Sequence, residues 1–166
     1  MRATLLRVLV TALVCVATPA GASDSQSDRA SLAGLSVISV VVEDLPSIAA
    51  SNGLTKAALQ ADTERRLRLA GISITPDSDA YLYVHVTVAD PGPSLPLPYY
   101  VDVALMQEIT IPRGGVQSRT PLQCPTWSVS RLGMASGDRL RPNVADRVGE
   151  FVDQFIRAYR SVNPKG

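Results

Sequence analysis

The sequence predicts an α+β fold: a two-layer α/β sandwich in which two helices lie on one face of a mainly antiparallel sheet. Two observations support this prediction. Short segments of alternating or continuously apolar residues, typical of strands, recur between turns rich in proline and glycine. Two longer segments repeat apolar residues every three or four positions, which is typical of helices that cover a sheet with one stripe. The predicted element order is β-α-β-β-β-β-α.

Residues 1–22 have the three parts of a secretory signal peptide. A short basic start precedes an uncharged apolar run over residues 8–17, and Ala20-Gly21-Ala22 supplies the small residues of a cleavage site. The apolar run is shorter than the roughly 20 residues that span a bilayer, so cleavage is expected rather than anchoring. Cys15 lies in the middle of this run, where lipidation does not fit. We therefore expect an exported protein, periplasmic or secreted, that begins at Ser23.

The mature chain is expected to hold one domain. Residues 23–33 are mostly polar and without apolar periodicity, which predicts a flexible leader, and residues 34–166 form a single α/β domain. Cleavage would remove two of the 16 basic residues against 15 acidic ones, which leaves a net charge of about −1. This charge predicts no binding of nucleic acid, and no segment after the cleaved signal is long and apolar enough to span a membrane.

The first half of the domain reads as a strand, a helix and a short strand. Residues 37–42 are β-branched and apolar, as in a strand covered on both faces. Thr55 is a suitable N-cap for the helix that follows, and Gly71 is a suitable left-handed stop. Residues 72–74 then form the short strand. The helix should bury the residues of one stripe: Leu59, Thr63, Leu67 and Ala70.

The second half reads as three strands and a helix. Residues 81–89 and 99–111 both alternate between apolar and polar positions, which predicts two antiparallel strands. Between them, residues 90–98 hold four prolines and a glycine and can form only a loop. Residues 124–132 form a weaker strand. A final amphipathic helix is expected over residues 142–162, because Pro142 suits a first helical turn.

One resemblance is carried by residues 40–74 (VVVEDL…GLTKAALQADTERRLRLAGISI), followed by YLYVHVTV. These motifs resemble a type of secreted bacterial α/β protein of unknown function. The strand-helix-strand order is also similar to small envelope domains of the TolB amino-terminal and curli-secretion lipoprotein kind. The resemblance implies an exported envelope domain and brings no active site with it. This chain departs from the curli-secretion lipoproteins in having no lipid-anchor signal.

The leading functional hypothesis is a non-catalytic domain that binds a protein or another envelope component. Tyrosine and methionine side chains beside the single histidine should lie on the sheet face away from the helices, a composition found in binding surfaces. The proline-rich loop should project two leucines from a stiff tip where burial is difficult. The candidate interaction residues are Tyr81, Tyr83, His85, Leu95, Leu97, Tyr100 and Met106.

Two alternatives remain open. Cys124 and His85 are the thiol and imidazole from which a small secreted thiol enzyme could be built. A groove lined by Leu95, Leu97 and Tyr100 could instead carry a small apolar or peptide ligand. The chain has one histidine and one mature cysteine, too few for a zinc site, and it lacks phosphate-binding and dinucleotide motifs. We therefore expect no metal, no cofactor and no catalytic residues.

Overall fold

A computed structural model describes residues 22–92, 94–110, 112–113, 116–117 and 121–164. The predicted signal peptide, apart from Ala22, lies outside the described residues. The elements in chain order are β1 (Ala22–Ser23), α1 (Gln26–Ala30), β2 (Val37–Val42), α2 (Ser47–Ser51), α3 (Lys56–Leu69), β3 (Ser73–Ile74), β4 (Tyr81–Val88), β5 (Leu97–Ile109), β6 (Pro112–Arg113), β7 (Val116–Gln117), β8 (Leu122–Ala135) and α4 (Gly137–Val162).

The main sheet has six strands in the order β1-β8-β5-β4-β2-β3. β2 runs parallel to both β3 and β4, whereas the pairs β4–β5, β5–β8 and β1–β8 are antiparallel. The helices α3 and α4 pack against each other and against one face of this sheet. The α+β sandwich is therefore confirmed, and β2, α3, β3, β4, β5, β8 and α4 follow the predicted order. β6 and β7 pair separately as a small hairpin.

The helix α3 begins and ends where its sequence predicts. The Thr55 backbone is extended and its hydroxyl accepts a hydrogen bond from the Ala58 amide at 3.3 Å, which satisfies one of the free donors of the first turn. Gly71 follows the helix with a φ of +84°, a conformation that glycine adopts without steric cost. Thr63 and Leu67 are fully buried, as the predicted stripe requires.

The core lies between the two helices and the sheet. Alternate residues of β4 and β5, mostly valine and leucine, are buried there. Trp127 on β8 meets Phe155 on α4 edge to face, with ring centroids 5.3 Å apart. This arrangement suits the quadrupoles of the two rings and fixes α4 across the sheet.

The prediction of a flexible leader over residues 23–33 is wrong. Ser25 and Asp28 form a reciprocal capping box that starts α1. Asp24 accepts a hydrogen bond from the Trp127 indole at 3.3 Å, and Leu32 is fully buried in the core. A segment this short shows no apolar period, and its stability depends on contacts with residues about a hundred positions away. Such contacts are invisible in the local sequence.

The predicted bounds of the last strand and helix also needed correction. β8 is longer than the expected 124–132 and continues to Ala135. α4 begins at Gly137, five residues before Pro142, with Ser136 as its N-cap. Pro142 lies close enough to the helix start that its missing amide removes only one early hydrogen bond. The proline therefore does not mark the beginning of this helix.

Candidate functional site

The candidate site is the sheet face that points away from α3 and α4, here called the open face. Opposed residues of neighbouring strands share this face: His85 on β4 lies opposite Asp102 on β5, and Tyr100 lies opposite Leu132 on β8. Buried residues alternate with these positions along β4. The main side chains of the open face are Val41, Glu43, Tyr81, Tyr83, His85, Tyr100, Asp102, Met106, Leu132 and Met134.

Four rings form a continuous aromatic row on the open face. Tyr81 meets Tyr83 edge to face with centroids 6.5 Å apart, and the Tyr83 and His85 rings are nearly parallel at 6.4 Å. His85 then meets Tyr100 across the strand pair, again at 6.4 Å. The period-two alternation of β4 and β5 places these rings side by side because residues i and i+2 share a face. The sequence predicts this placement correctly.

Glu43, just beyond the end of β2, joins the aromatic row through its carboxylate. Its Oε2 atom accepts hydrogen bonds from the Tyr83 hydroxyl and from His85 Nδ1. These bonds stabilise the charged carboxylate and lower the pKa of Glu43. The same bond to Glu43 raises the pKa of Tyr83 to about 12, because the neutral phenol donates it. No local pattern in the sequence indicates this role of Glu43, because Tyr83 and His85 lie some 40 residues farther along the chain.

Thr87 completes a chain of carboxylate, imidazole and hydroxyl groups. Its Oγ1 atom lies 2.8 Å from His85 Nε2, while Nδ1 of the same ring donates to Glu43. A hydrolase that used these three groups would also need hydrogen-bond donors placed to stabilise a developing oxyanion, in a site that excludes water. The residue opposite Thr87 is Tyr100, and Thr87 itself is exposed on a flat sheet. The hydrogen bonds of Glu43 and Thr87 therefore orient the His85 ring and hold the aromatic row in place.

Asp102 on β5 lies opposite His85 and differs from Glu43 in its surroundings. Among the described residues, no side chain or backbone group forms a hydrogen bond or ion pair with its carboxylate. Burial raises the pKa of Asp102, and the nearby His85 opposes this shift only in part. Both ring nitrogens of His85 are engaged elsewhere, by Glu43 and Thr87. Asp102 is therefore a partly desolvated acid without a counter-ion at the centre of the open face.

One end of the open face is apolar. Tyr100 pairs with Leu132, and Pro98 pairs with Met134. Leu132 is 69% exposed and Met134 is 61% exposed. Neither residue was among the predicted interaction residues: Leu132 was the last residue of the predicted strand, and Met134 lay beyond it. Continued alternation through RLGMA was the signal that could have revealed them.

The two leucines of the proline-rich loop have different environments. Leu95 is 61% exposed, as expected for a projecting tip. Leu97 belongs to β5, pairs with Ala135 and packs partly buried against the core. Its predicted place on the exposed tip is therefore wrong. Backbone pairing with β8 at the start of β5 places Leu97 in the sheet, although Pro96 and Pro98 flank it.

The thiol and imidazole of the enzyme alternative are far apart. His85 pairs with Asp102, whereas Cys124 pairs with Gln107, farther along β5. Gln107 is five positions beyond Asp102 on β5, a distance of about 17 Å along the strand. The thiol therefore has no path to a hydrogen bond with His85.

Two cavities of the described region lie at the helix side of the domain. One, of about 450 Å³, lies between α3 and α4 and is bordered by Arg65, Arg66 and Arg160. The other, of about 580 Å³, adjoins the end of α4. Neither is lined by Leu95, Leu97 or Tyr100, so neither is the groove that the carrier alternative requires.

The described residues contain no group of three or more His, Cys, Asp or Glu side chains placed to hold a metal ion. No helix in the described part of the chain combines the length and apolar character needed to cross a membrane.

No family model matches this chain, and no curated protein does either. Among solved structures, the chain is similar to a minor lipoprotein from Acinetobacter baumannii. The identity is 14% and the TM-score is 0.37, and the likeness covers 74% of this chain and 94% of that one. A likeness at this level assigns no function.

Proposed function

We propose that the mature chain is an exported, non-catalytic domain that binds a protein partner of the cell envelope through its open face. The observation that carries this proposal is the exposed apolar end formed by Tyr100, Leu132 and Met134 beside the aromatic row. Large exposed apolar side chains that adjoin one another mark interaction surfaces, whereas single ones are ordinary. A rigid sheet presents them at little conformational cost.

The sequence supports export. The basic start, the apolar run and the small residues up to Ala22 form a signal peptide pattern. Ala22, the last residue of the predicted signal, is one half of a two-residue edge strand that pairs with β8. Its loss would remove one residue pair from the edge of β8.

Binding is favoured over catalysis by the character of the site. The groups with chemical potential, Glu43, His85 and Thr87, are bonded to one another and open to water. The thiol of Cys124 is remote from them along the sheet. Aromatic rings with polar tips and adjacent aliphatic side chains are, by contrast, the composition of interaction surfaces.

The experiment is site-specific photo-crosslinking in the native cell. A benzoylphenylalanine residue is placed at position 132, where Leu132 is exposed on the open face, and at position 150, where Glu150 is exposed on α4. We expect position 132 to give a discrete adduct whose second component is one envelope protein, identified by mass spectrometry. The purified partner should then bind the purified domain. The control at position 150 should give no such adduct.

A matched pair of substitutions tests the same surface by affinity. Leu132→Ser should weaken binding of the identified partner about tenfold or more, as for a central apolar contact. Leu69→Ser, at an exposed leucine of α3 away from the open face, should leave binding unchanged. Equal crosslinking at both positions, or equal affinity of both variants, would show that the open face is not the binding surface.

A further inference from the structure

We infer that the partner segment docking on the open face is a basic, extended peptide that sets an arginine against Asp102. This inference rests on the proposed function and names the chemistry of the partner. It follows from the distribution of charge over the face, from the unpaired state of Asp102 and from the side chains that surround this residue.

Over the described residues, the charged side chains that the sheet strands place on the open face are acidic. β2, β4 and β5 contain no lysine or arginine at all, while Asp102 and Glu108 lie on β5 and Glu43 directly follows β2. β8 contains one arginine, Arg131, which lies opposite Val101. Val101 is buried on the helix side of the sheet, so Arg131 belongs to that side and not to the open face. The mature chain as a whole is nearly neutral, so this acidic character is local. A cationic partner is therefore complementary to this face.

Asp102 is the acid that is free to receive a cation. Glu43 already accepts hydrogen bonds from Tyr83 and His85. Asp102 lies between His85 on one neighbouring strand and Ser130 on the other, and no described residue bonds to it. Burial without a counter-ion disfavours the charged form of this carboxylate. An incoming cation would relieve that cost, whereas an incoming apolar or acidic group would increase it.

The surroundings of Asp102 fit a guanidinium better than an ammonium group. Tyr100 is two residues away on the same face, and its ring adjoins that of His85. A planar guanidinium can donate two parallel hydrogen bonds to a carboxylate and stack on an adjacent aromatic ring. Leu132 and Met134 lie next to Tyr100 and can receive apolar residues two positions away from the arginine, because residues i and i+2 of an extended peptide share a face. The expected ligand thus carries arginine and apolar residues at every second position, on one face of the extended peptide.

The test uses the purified mature chain and synthetic peptides. The probe is acetyl-(Leu-Ser-Arg-Ser)₃-amide, in which leucine and arginine share one face of the extended peptide, and the matched peptides carry lysine or glutamate in place of arginine. Titration calorimetry should give the highest affinity for the arginine peptide, a lower affinity for the lysine peptide and the lowest for the glutamate peptide. The affinity of the arginine peptide should fall as the salt concentration rises. Asp102→Asn should weaken the arginine peptide about tenfold. Asp146→Asn, on α4 away from the open face, is the matched control and should leave the affinity unchanged.

Stability measurements separate lost binding from lost folding. The folded-state pKa of Asp102 lies above its unfolded value. At pH values above the folded-state pKa, the charged carboxylate therefore lowers the free energy of unfolding. Asp102→Asn should therefore raise the melting temperature at pH 7, and this gain should vanish as the pH falls below the unfolded pKa. A variant that binds less while melting higher has lost a contact and kept its fold.

Several outcomes would overturn the inference. Equal binding of the arginine and glutamate peptides, or equal affinity of Asp102→Asn and the parent, would exclude a cation at Asp102. Self-association that Leu132→Ser abolishes and Asp102→Asn leaves intact would make a second copy the occupant. Crosslinking at position 132 decides the use of the open face independently. A positive crosslink with negative peptide results would therefore refute the basic segment and keep the binding function.

Discussion

Gly133 on β8 is a position where the addition of a single methyl group should destabilise the fold. It lies opposite Tyr99 on β5, whose ring covers the glycine and is only 5% exposed. A Cβ atom at position 133 would lie 2.4 Å from Cζ and 2.5 Å from the hydroxyl oxygen of Tyr99. Ordinary carbon–carbon contacts are about 3.5–4.0 Å, so Gly133→Ala must displace the ring by about 1 Å or more.

The cost follows from what surrounds the ring. Overpacking a well-filled site costs about 1–3 kcal/mol, and the reduced entropy of the unfolded chain returns about 0.4–1 kcal/mol. A cavity of about 300 Å³ bordered by Tyr99, Asn143 and Arg147 offers the ring some room, which favours the lower half of that range. We therefore expect Gly133→Ala to reduce the free energy of unfolding by about 1 kcal/mol.

The assay is urea denaturation followed by circular dichroism, with Tyr99→Leu as the partner of a double-mutant cycle. In the Tyr99→Leu background the alanine has no ring to displace, so most of the cost of Gly133→Ala should disappear. The expected coupling energy is about 1 kcal/mol. A Gly133→Ala variant as stable as the parent, or a cost that persists in the Tyr99→Leu background, would refute the steric argument.

Two further predictions concern stability. Thr63 is fully buried and its hydroxyl has no hydrogen-bond partner among the described residues, so Thr63→Val should raise the free energy of unfolding by about 1 kcal/mol in urea denaturation. A less stable variant would show that the hydroxyl is bonded. Leu97 packs against the core and Leu95 is exposed, so Leu97→Ser should cost about 1–2 kcal/mol and Leu95→Ser less than about 0.5. Equal melting temperatures of these two variants would place Leu97 on the loop tip.

The sequence was sufficient wherever local backbone geometry decides the outcome. Alternation along β4 and β5 determined which side chains share the open face, because successive residues of a strand point to opposite faces. Thr55 and Gly71 determined where α3 begins and ends, because capping depends on residues within one turn. The fold class followed from these elements, since two striped helices need one sheet face to cover.

Tertiary structure decided what lies beside these elements. Glu43 reaches Tyr83 and His85 only because β2 and β4 run parallel in one register, and Asp102 stays unpaired because those contacts engage both nitrogens of His85. Leu32 is buried only because α1 lies against α4 and β8. Contacts of this kind join residues 40 to 100 positions apart. Their free energy depends on how whole strands pair and helices pack, and no local pattern of the sequence contains it.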